Sequence, residues 1–397
     1  MTADLPRFGM LLLIGALVTL AARRLRLPYA IGLVLVGLAL GALPTALDLS
    51  LSKELIFSLF LPPLVFEAAL QIHWPELRRD LPVVGLLATV GVLLAAAVAA
   101  VGMAWLGGWS PASALVFGLL IAATDPVSVI ATFREAGVSG RLLLLVEAES
   151  LLNDGTAAAA VAIALAWAAG TASGAWSIAG TILLTIGGGI ACGVVCGGLL
   201  VLLARRVREP RAEIVLTTLT AYGSFLLAEQ LHLSGILAAL SAGLVAGHAV
   251  RRELSTTPAR AMVETYWEYL ALGANSIVFL LVGGHAAHML TRHWQPALLA
   301  IALVTLGRAI AVYPLCALFR RSTLAVERRH QHVLFWGGLR GALALALALG
   351  LPAELAGRET LITTTFAVVI FSILVQGLSI TPLMRRLGLL PAGVGRR

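Results

Sequence analysis

Long apolar runs alternate along this chain with short charged or Gly/Pro-containing breaks, and thirteen such runs can be delimited. They lie at about 8–22, 28–43, 54–72, 81–106, 111–133, 141–169, 176–204, 213–230, 233–250, 264–284, 296–319, 333–350 and 360–384. Runs of this kind suit the hydrocarbon core of a bilayer, which takes about 20 helical residues at ~1.5 Å rise each. The pattern predicts an all-α polytopic membrane protein with about thirteen transmembrane helices. Composition agrees: 59% of the 397 residues are hydrophobic and 12% charged, against roughly 25% charged in a soluble domain. Arg7 precedes a first run that ends on Arg23-Arg24-Leu25-Arg26, a stop-transfer pattern rather than a cleaved signal.

Charge then orients the spans. Of the 28 Lys and Arg residues, 22 fall in the connections after spans 1, 3, 5, 7, 9 and 11 and in the C-terminal tail. Only Arg7, Lys53, Arg292 and Arg358 fall on the opposite side, while Arg308 and Arg340 lie within spans. By the positive-inside rule the N-terminus is expected outside and the C-terminus in the cytoplasm. The net charge of +8 therefore caps membrane spans. No basic tract or soluble domain is present to hold a nucleic acid.

Two runs are interrupted by polar residues. Span 5 holds Thr124-Asp125-Pro126, which puts a carboxylate beside a proline that has no N–H and clashes with the preceding turn. The helix is expected to break there, and at ~1.5 Å per residue Asp125 lies ~14 Å from the Arg134 end, in the middle of the bilayer. A charge at that depth costs ~2.5–3.5 kcal/mol on insertion scales, which makes it a functional candidate. Span 6 carries Glu147-Ala148-Glu149-Ser150-Leu151-Leu152-Asn153-Asp154-Gly155. Ser150 and Asp154 share one helix face, Glu149 and Asn153 the adjacent one. Glu67, beyond Pro62-Pro63 in span 3, reaches a similar depth. Acids buried together must line water, hold a cation, carry protons or pair with arginine, and an all-oxygen set with no His or Cys suits hard cations rather than zinc or copper.

Span 12 is interrupted at Trp336-Gly337-Gly338-Leu339-Arg340-Gly341. Interrupted helices in the two halves of a chain point to a transporter's substrate site at the midplane, and spans 5 and 12 stand seven apart, as two inverted six-span repeats separated by one helix require. Arg340 is the natural partner for a span 6 acid. Arg308 is a second buried cation, for which helix-packing electrostatics is the competing reading. Cys192, Cys196 and Cys316 all sit in apolar runs, the first two within Gly189-x3-Gly193-x3-Gly197, so close helix packing is expected of them rather than metal or disulfide chemistry. His285, His288, His293, His330 and His332 fall in connections, where solvation outweighs a pH-sensing role.

ATDPVSV in span 5, EAESLLNDG in span 6, LPPLVFEAAL in span 3 and GGLRGALALAL in span 12 together resemble the sodium/proton exchangers. The branch they resemble is the NhaP-type monovalent cation:proton antiporters of bacteria and archaea, over essentially the whole chain. The resemblance implies a thirteen-span fold with interleaved dimerisation and core parts, a homodimer in the lipid of the cytoplasmic membrane, and elevator-like alternating access. It implies that Asp125 and Asp154 bind the transported Na+, with Thr124 and Ser150 as oxygen ligands. Glu67 becomes a further acid at the site, Asn153 the Asn of an Asn-Asp pair, and Glu149 with Arg340 a buried ion pair. The chain ends about a dozen residues after span 13, so residues 1–397 are expected to form one antiporter domain without a cytoplasmic regulatory domain.

The function expected is secondary active exchange of Na+ (or Li+) for H+, electroneutral one for one, with no organic cofactor and no enzymatic step. A buried carboxylate favours its proton and a nearby cation favours its ionised form, so the two compete for the same oxygens. K+/H+ exchange on the same scaffold is the nearest rival. An intramembrane aspartyl hydrolase and a channel are more distant ones.

Overall fold

The computed structural model describes residues 4–25, 28–42, 55–125, 129–130, 133, 137–170, 175–207, 209–251, 257–289 and 294–390. All regular structure among the described residues is helical. The first part runs α1 (Asp4–Leu25), α2 (Tyr29–Gly41), α3 (Leu61–Gln71), α4 (Trp74–Leu86), α5 (Val92–Trp105) and α6 (Pro111–Ala122). Next come α7 (Arg141–Ala168), α8 (Ala175–Val207), α9 (Pro210–Gln230), α10 (Gly235–Ala249) and α11 (Thr257–Met289). The last part is α12 (Trp294–Leu318), α13 (Arg328–Trp336), α14 (Ala342–Leu349), α15 (Arg358–Phe371) and α16 (Gly377–Arg386). π-helical turns at Leu87–Gly91 and Ser372–Gln376 join α4 to α5 and α15 to α16, giving continuous helices over Trp74–Trp105 and Arg358–Arg386. Among the described residues, six helices are long and apolar enough to cross a membrane and five more apolar helices are shorter.

The helix starts follow local chemistry. At α6, Pro111 occupies the first turn, where its missing N–H costs nothing, and the Ser110 hydroxyl accepts the Ser113 N–H at 3.2 Å. Ser234 caps α10 in the same way, through the Leu237 N–H at 3.3 Å. The π-helical turn Leu55–Phe60 leads into α3 and its Pro62-Pro63. Pro63 cannot donate to the Leu59 carbonyl four residues back, and the Tyr222 hydroxyl of α9 donates to that carbonyl at 3.0 Å instead.

Close packing rests on small residues where the sequence placed them. Gly189 and Gly193 of α8 face the backbone carbonyls of Ser234 and Ala238, and Gly197 faces that of Ala242, so α8 lies directly on α10. Cys192 and Cys196 beside them are free thiols, as is the buried Cys316. Large apolar residues on the outer side of α8, among them Leu183, Val195 and Leu202, are exposed, as suits a face turned to lipid.

One polar contact ties three segments together at the start of α7. Arg141 bonds Asp80 of α4 through Nε at 2.9 Å and Nη2 at 2.7 Å, and donates to the carbonyls of Leu324 and Ala325, each at 2.7 Å. The Asp80 side chain is 4% exposed and that of Arg141 26%. Arg141→Ala leaves Asp80 without this partner. The expected loss is roughly 1–3 kcal/mol, below the value for a fully buried pair because solvent reaches the arginine. It is checked by the thermal unfolding midpoint of the detergent-purified variant, and an unchanged midpoint would contradict it.

Candidate ion-binding site

The site is built where two interrupted helices meet. Helix α6 stops at Ala122 because Ala123 turns to extended backbone, with φ −57° and ψ 137°. Ala123, Thr124 and Asp125 are non-helical, and helix is present again at Val129 and Ile130. The expected break beside Asp125 is therefore observed, although Pro126 itself lies outside the described residues. The second interruption lies between α13 and α14, over residues 337–341.

Each interruption satisfies the other's backbone. The Asp125 N–H donates to the Leu339 carbonyl at 2.7 Å. Arg340 Nη1 donates to the carbonyls of Ala122 at 2.8 Å and Ala123 at 3.1 Å, at the C-terminal end of α6. The last carbonyls of a helix have no intrahelical donor, and the negative end of the helix dipole favours a cation there. The Arg340 N–H is in turn accepted by Ser372 Oγ at 2.7 Å.

This arrangement corrects the expected Glu149–Arg340 ion pair. Glu149 pairs with Arg308: Nη1 donates to Oε1 and Nη2 to Oε2, both at 2.8 Å. Arg308 Nη2 also reaches the Leu334 carbonyl at 2.9 Å. Glu149 is 1% exposed, and the two-pronged match of guanidinium to carboxylate is the strongest geometry available to it. Arg340 is committed to the broken end of α6, a second demand for positive charge. Arg308 stood out in the sequence only as a buried cation after Gly307 in an apolar run.

From Glu149 a continuous network runs to the broken helix. Asn153 Nδ2 donates to Glu149 Oε1 at 3.2 Å and to Thr124 Oγ1 at 2.5 Å, while Asn153 Oδ1 accepts the Thr124 N–H at 3.1 Å. Thr124 Oγ1 and Ser150 Oγ lie 3.0 Å apart in a further hydrogen bond. Asn153 thus uses both amide donors and its acceptor within the protein, which fixes its rotamer and locks Thr124 onto α7.

In front of this network lies a cavity of about 1060 Å³, lined among others by Glu67, Thr124, Asp125, Glu147, Asp154 and Gly341. Asp154 is 8% exposed, and its Oδ1 makes no hydrogen bond among the described residues. Glu67 accepts from Gln71 Nε2 one turn along α3. Of the residues singled out from the sequence, the structure brings Glu67, Thr124, Asp125 and Asp154 to the cavity wall. Ser150, Asn153 and Glu149 are buried behind it. Glu147 of the same span 6 motif is 6% exposed and also lines the cavity. His330 sits at the start of α13, where burial pulls its imidazole below the ordinary range against the opposing charge of Glu327. His332 bonds the Tyr313 hydroxyl at 2.8 Å.

Breaking the Glu149–Arg308 pair from one side strands a buried charge. Arg308→Met is expected to cost ~3–5 kcal/mol and to lower the folded yield. The double variant Glu149→Gln with Arg308→Met is expected to regain most of that loss, whereas Glu149→Gln with Arg340→Met regains little. Unfolding midpoints of the purified variants decide it, and equal recovery in both combinations would refute the assignment.

Comparison with known proteins places this geometry. The family model described as "Sodium/hydrogen exchanger, transmembrane" matches residues 9–386. The chain is 40% identical over 375 residues to the Na+/H+ antiporter ApNhaP of Aphanothece halophytica, covering 94% of this chain and 72% of that one. It is 38% identical over 372 residues to the low-affinity Na+/H+ antiporter NhaS1 of Synechocystis, covering 92% and 70%. Its fold matches the solved structure of the sodium proton antiporter MjNhaP1 from Methanocaldococcus jannaschii at pH 8, with a TM-score of 0.79 and 21% identity over 97% of this chain and 99% of that one. The crossed broken helices and the acid-lined cavity thus sit within an integral membrane protein that belongs to the sodium/hydrogen exchanger family and has NhaP-type antiporters as its relatives.

Proposed function

We propose that this chain is a secondary active antiporter that exchanges Na+ (or Li+) for H+, with Asp125 and Asp154 taking cation or proton in competition. The observation that carries this reading is Asp154 Oδ1, a buried carboxylate oxygen without a hydrogen bond among the described residues, on the wall of the cavity that Asp125 also lines. An ionised oxygen so placed calls for a proton or a cation. Thr124 also lines the cavity, its hydroxyl bonded to Asn153 and Ser150, and the side chains proposed as ligands offer only oxygens, as a hard monovalent cation prefers. Ser150, one hydrogen bond behind Thr124, joins the ligand set through a rotation of its hydroxyl. Glu67 is the further acid. The names of the relatives, Na+/H+ antiporters, support the same reading.

Thirteen spans, with the N-terminus outside and the C-terminus in the cytoplasm, follow from the basic residues of the connections. The crossing of spans 5 and 12 suits two inverted repeats meeting at a substrate site. Alternating access of the elevator kind, a homodimer and a single antiporter domain over residues 1–397 complete the proposal.

Asp125→Asn and Asp154→Asn are each expected to abolish cation-driven proton release, since an amide exchanges no proton at physiological pH. Dye-reported proton movement in proteoliposomes on adding Na+, Li+, K+ or no cation makes the measurement. Near-normal exchange by either variant removes that residue from the mechanism, and a response to K+ alone reassigns the substrate.

Exchange is expected to be electroneutral. Asn153 is neutral throughout, and Arg308 holds the charge of Glu149 constant, so one Na+ replaces one proton without net charge movement. With the membrane potential clamped at several values by K+ and valinomycin, rates and end-points are expected to coincide. A shift with potential would point to a second titrating acid, Glu67 first.

A further inference from the structure

Of the contacts around the cavity, one is made by an atom that is absent. A Cβ built on Gly341 would fall inside contact distance of the Asp125 side chain, overlapping its Cβ and Oδ2 and lying 2.5 Å from its Cγ. Gly341 has φ −141° and ψ −151°, backbone that any residue adopts, so it is space and not conformation that requires glycine. The overlap includes the Asp125 Cβ, which no rotamer change can move. Nor can the two stretches drift apart freely, because Asp125 N–H to Leu339 and Arg340 to Ala122 and Ala123 hold them on either side of the contact.

We infer that Gly341 is a positioning residue for ion binding: the missing side chain lets the two broken helices approach until Asp125 stands at its working distance from Asp154. This rests on the reading of Asp125 and Asp154 as the exchange site. Asp154 belongs to α7, to which Thr124 is bonded through Asn153 and Ser150. A methyl group at 341 therefore acts chiefly on Asp125, the next residue along, and alters the separation of two carboxylates on different helices. Binding constellations tolerate only ~0.5 Å of such displacement.

The test is Gly341→Ala in the full chain, in proteoliposomes, with apparent KM and maximal rate for Na+ and Li+ measured beside Gly223→Ala. The latter is a helical glycine with open space at its Cβ position and controls for the substitution itself. The expected result is a folded protein whose KM for Na+ rises about tenfold, with a smaller change in maximal rate. A KM for both cations within threefold of the parent overturns the inference. If Gly341→Ala does not fold, Asp125→Gly is added to remove the overlapping Cβ. Recovery of folded yield in that double variant supports the contact, and no recovery overturns it. Asp125→Asn run alongside separates the two readings. Its continued exchange refutes the site itself, whereas an inactive Asp125→Asn with an unaltered KM in Gly341→Ala refutes only the role of the glycine.

Discussion

Interrupting a helix inside a bilayer exposes backbone N–H and C=O groups that no lipid can satisfy, and every feature of this site follows from how that debt is settled. Two interruptions lie across one another. The Asp125 N–H meets the Leu339 carbonyl, and the Arg340 guanidinium meets the two carbonyls left at the end of α6. Each unwound stretch is thus the hydrogen-bonding partner of the other, which is why non-helical backbone can persist at this depth. The carboxylate of Asp125 is carried into the cavity by this crossing rather than by a helix face.

Charge is divided between two arginines with different tasks. Arg308 meets Glu149 with both prongs and so offsets the charge of that acid. Arg340 meets no carboxylate among the described residues and offsets the dipole of α6. Behind the cavity, Asn153 links the Arg308–Glu149 pair to Thr124, while on the cavity side Asp154 Oδ1 has no hydrogen bond among the described residues. That division is what an exchanger needs: a fixed scaffold and a small set of groups whose occupancy changes.

Much of this could be read from residue order. Thr124-Asp125-Pro126 and Gly337-Gly338 mark broken helices by backbone chemistry alone, and both breaks stand where those residues placed them. The spacing of Gly189, Gly193 and Gly197 announced a close helix contact, and the clustering of acids in span 6 announced a buried polar site. The partner of Glu149 was not legible. Two arginines were available at comparable depth, and the choice depends on how α7, α12 and the broken span are rotated against each other, which periodicity does not encode. The free C-terminal carbonyls of α6 were implicit in the predicted break, and counting them would have named a use for Arg340. The place of Glu147 on the cavity wall was not legible for a related reason: distance along a helix locates a residue in depth but says nothing of what packs beside it. Gly341 carried no signal as a spacer, because one glycine in a glycine-rich stretch resembles the next.

The proline pair ahead of Glu67 has a consequence of its own. Since Tyr222 closes the gap at the Leu59 carbonyl, the ladder of the helix that bears Glu67 is completed by a side chain from a different helix. Sliding that helix along its axis, or turning it, would break this hydrogen bond, at a cost of about 0.5–1.5 kcal/mol. The hydroxyl is in effect a register mark. It fixes the height at which Glu67 meets the cavity by reference to α9, and any rearrangement that moves Glu67 relative to α9 must first erase that mark.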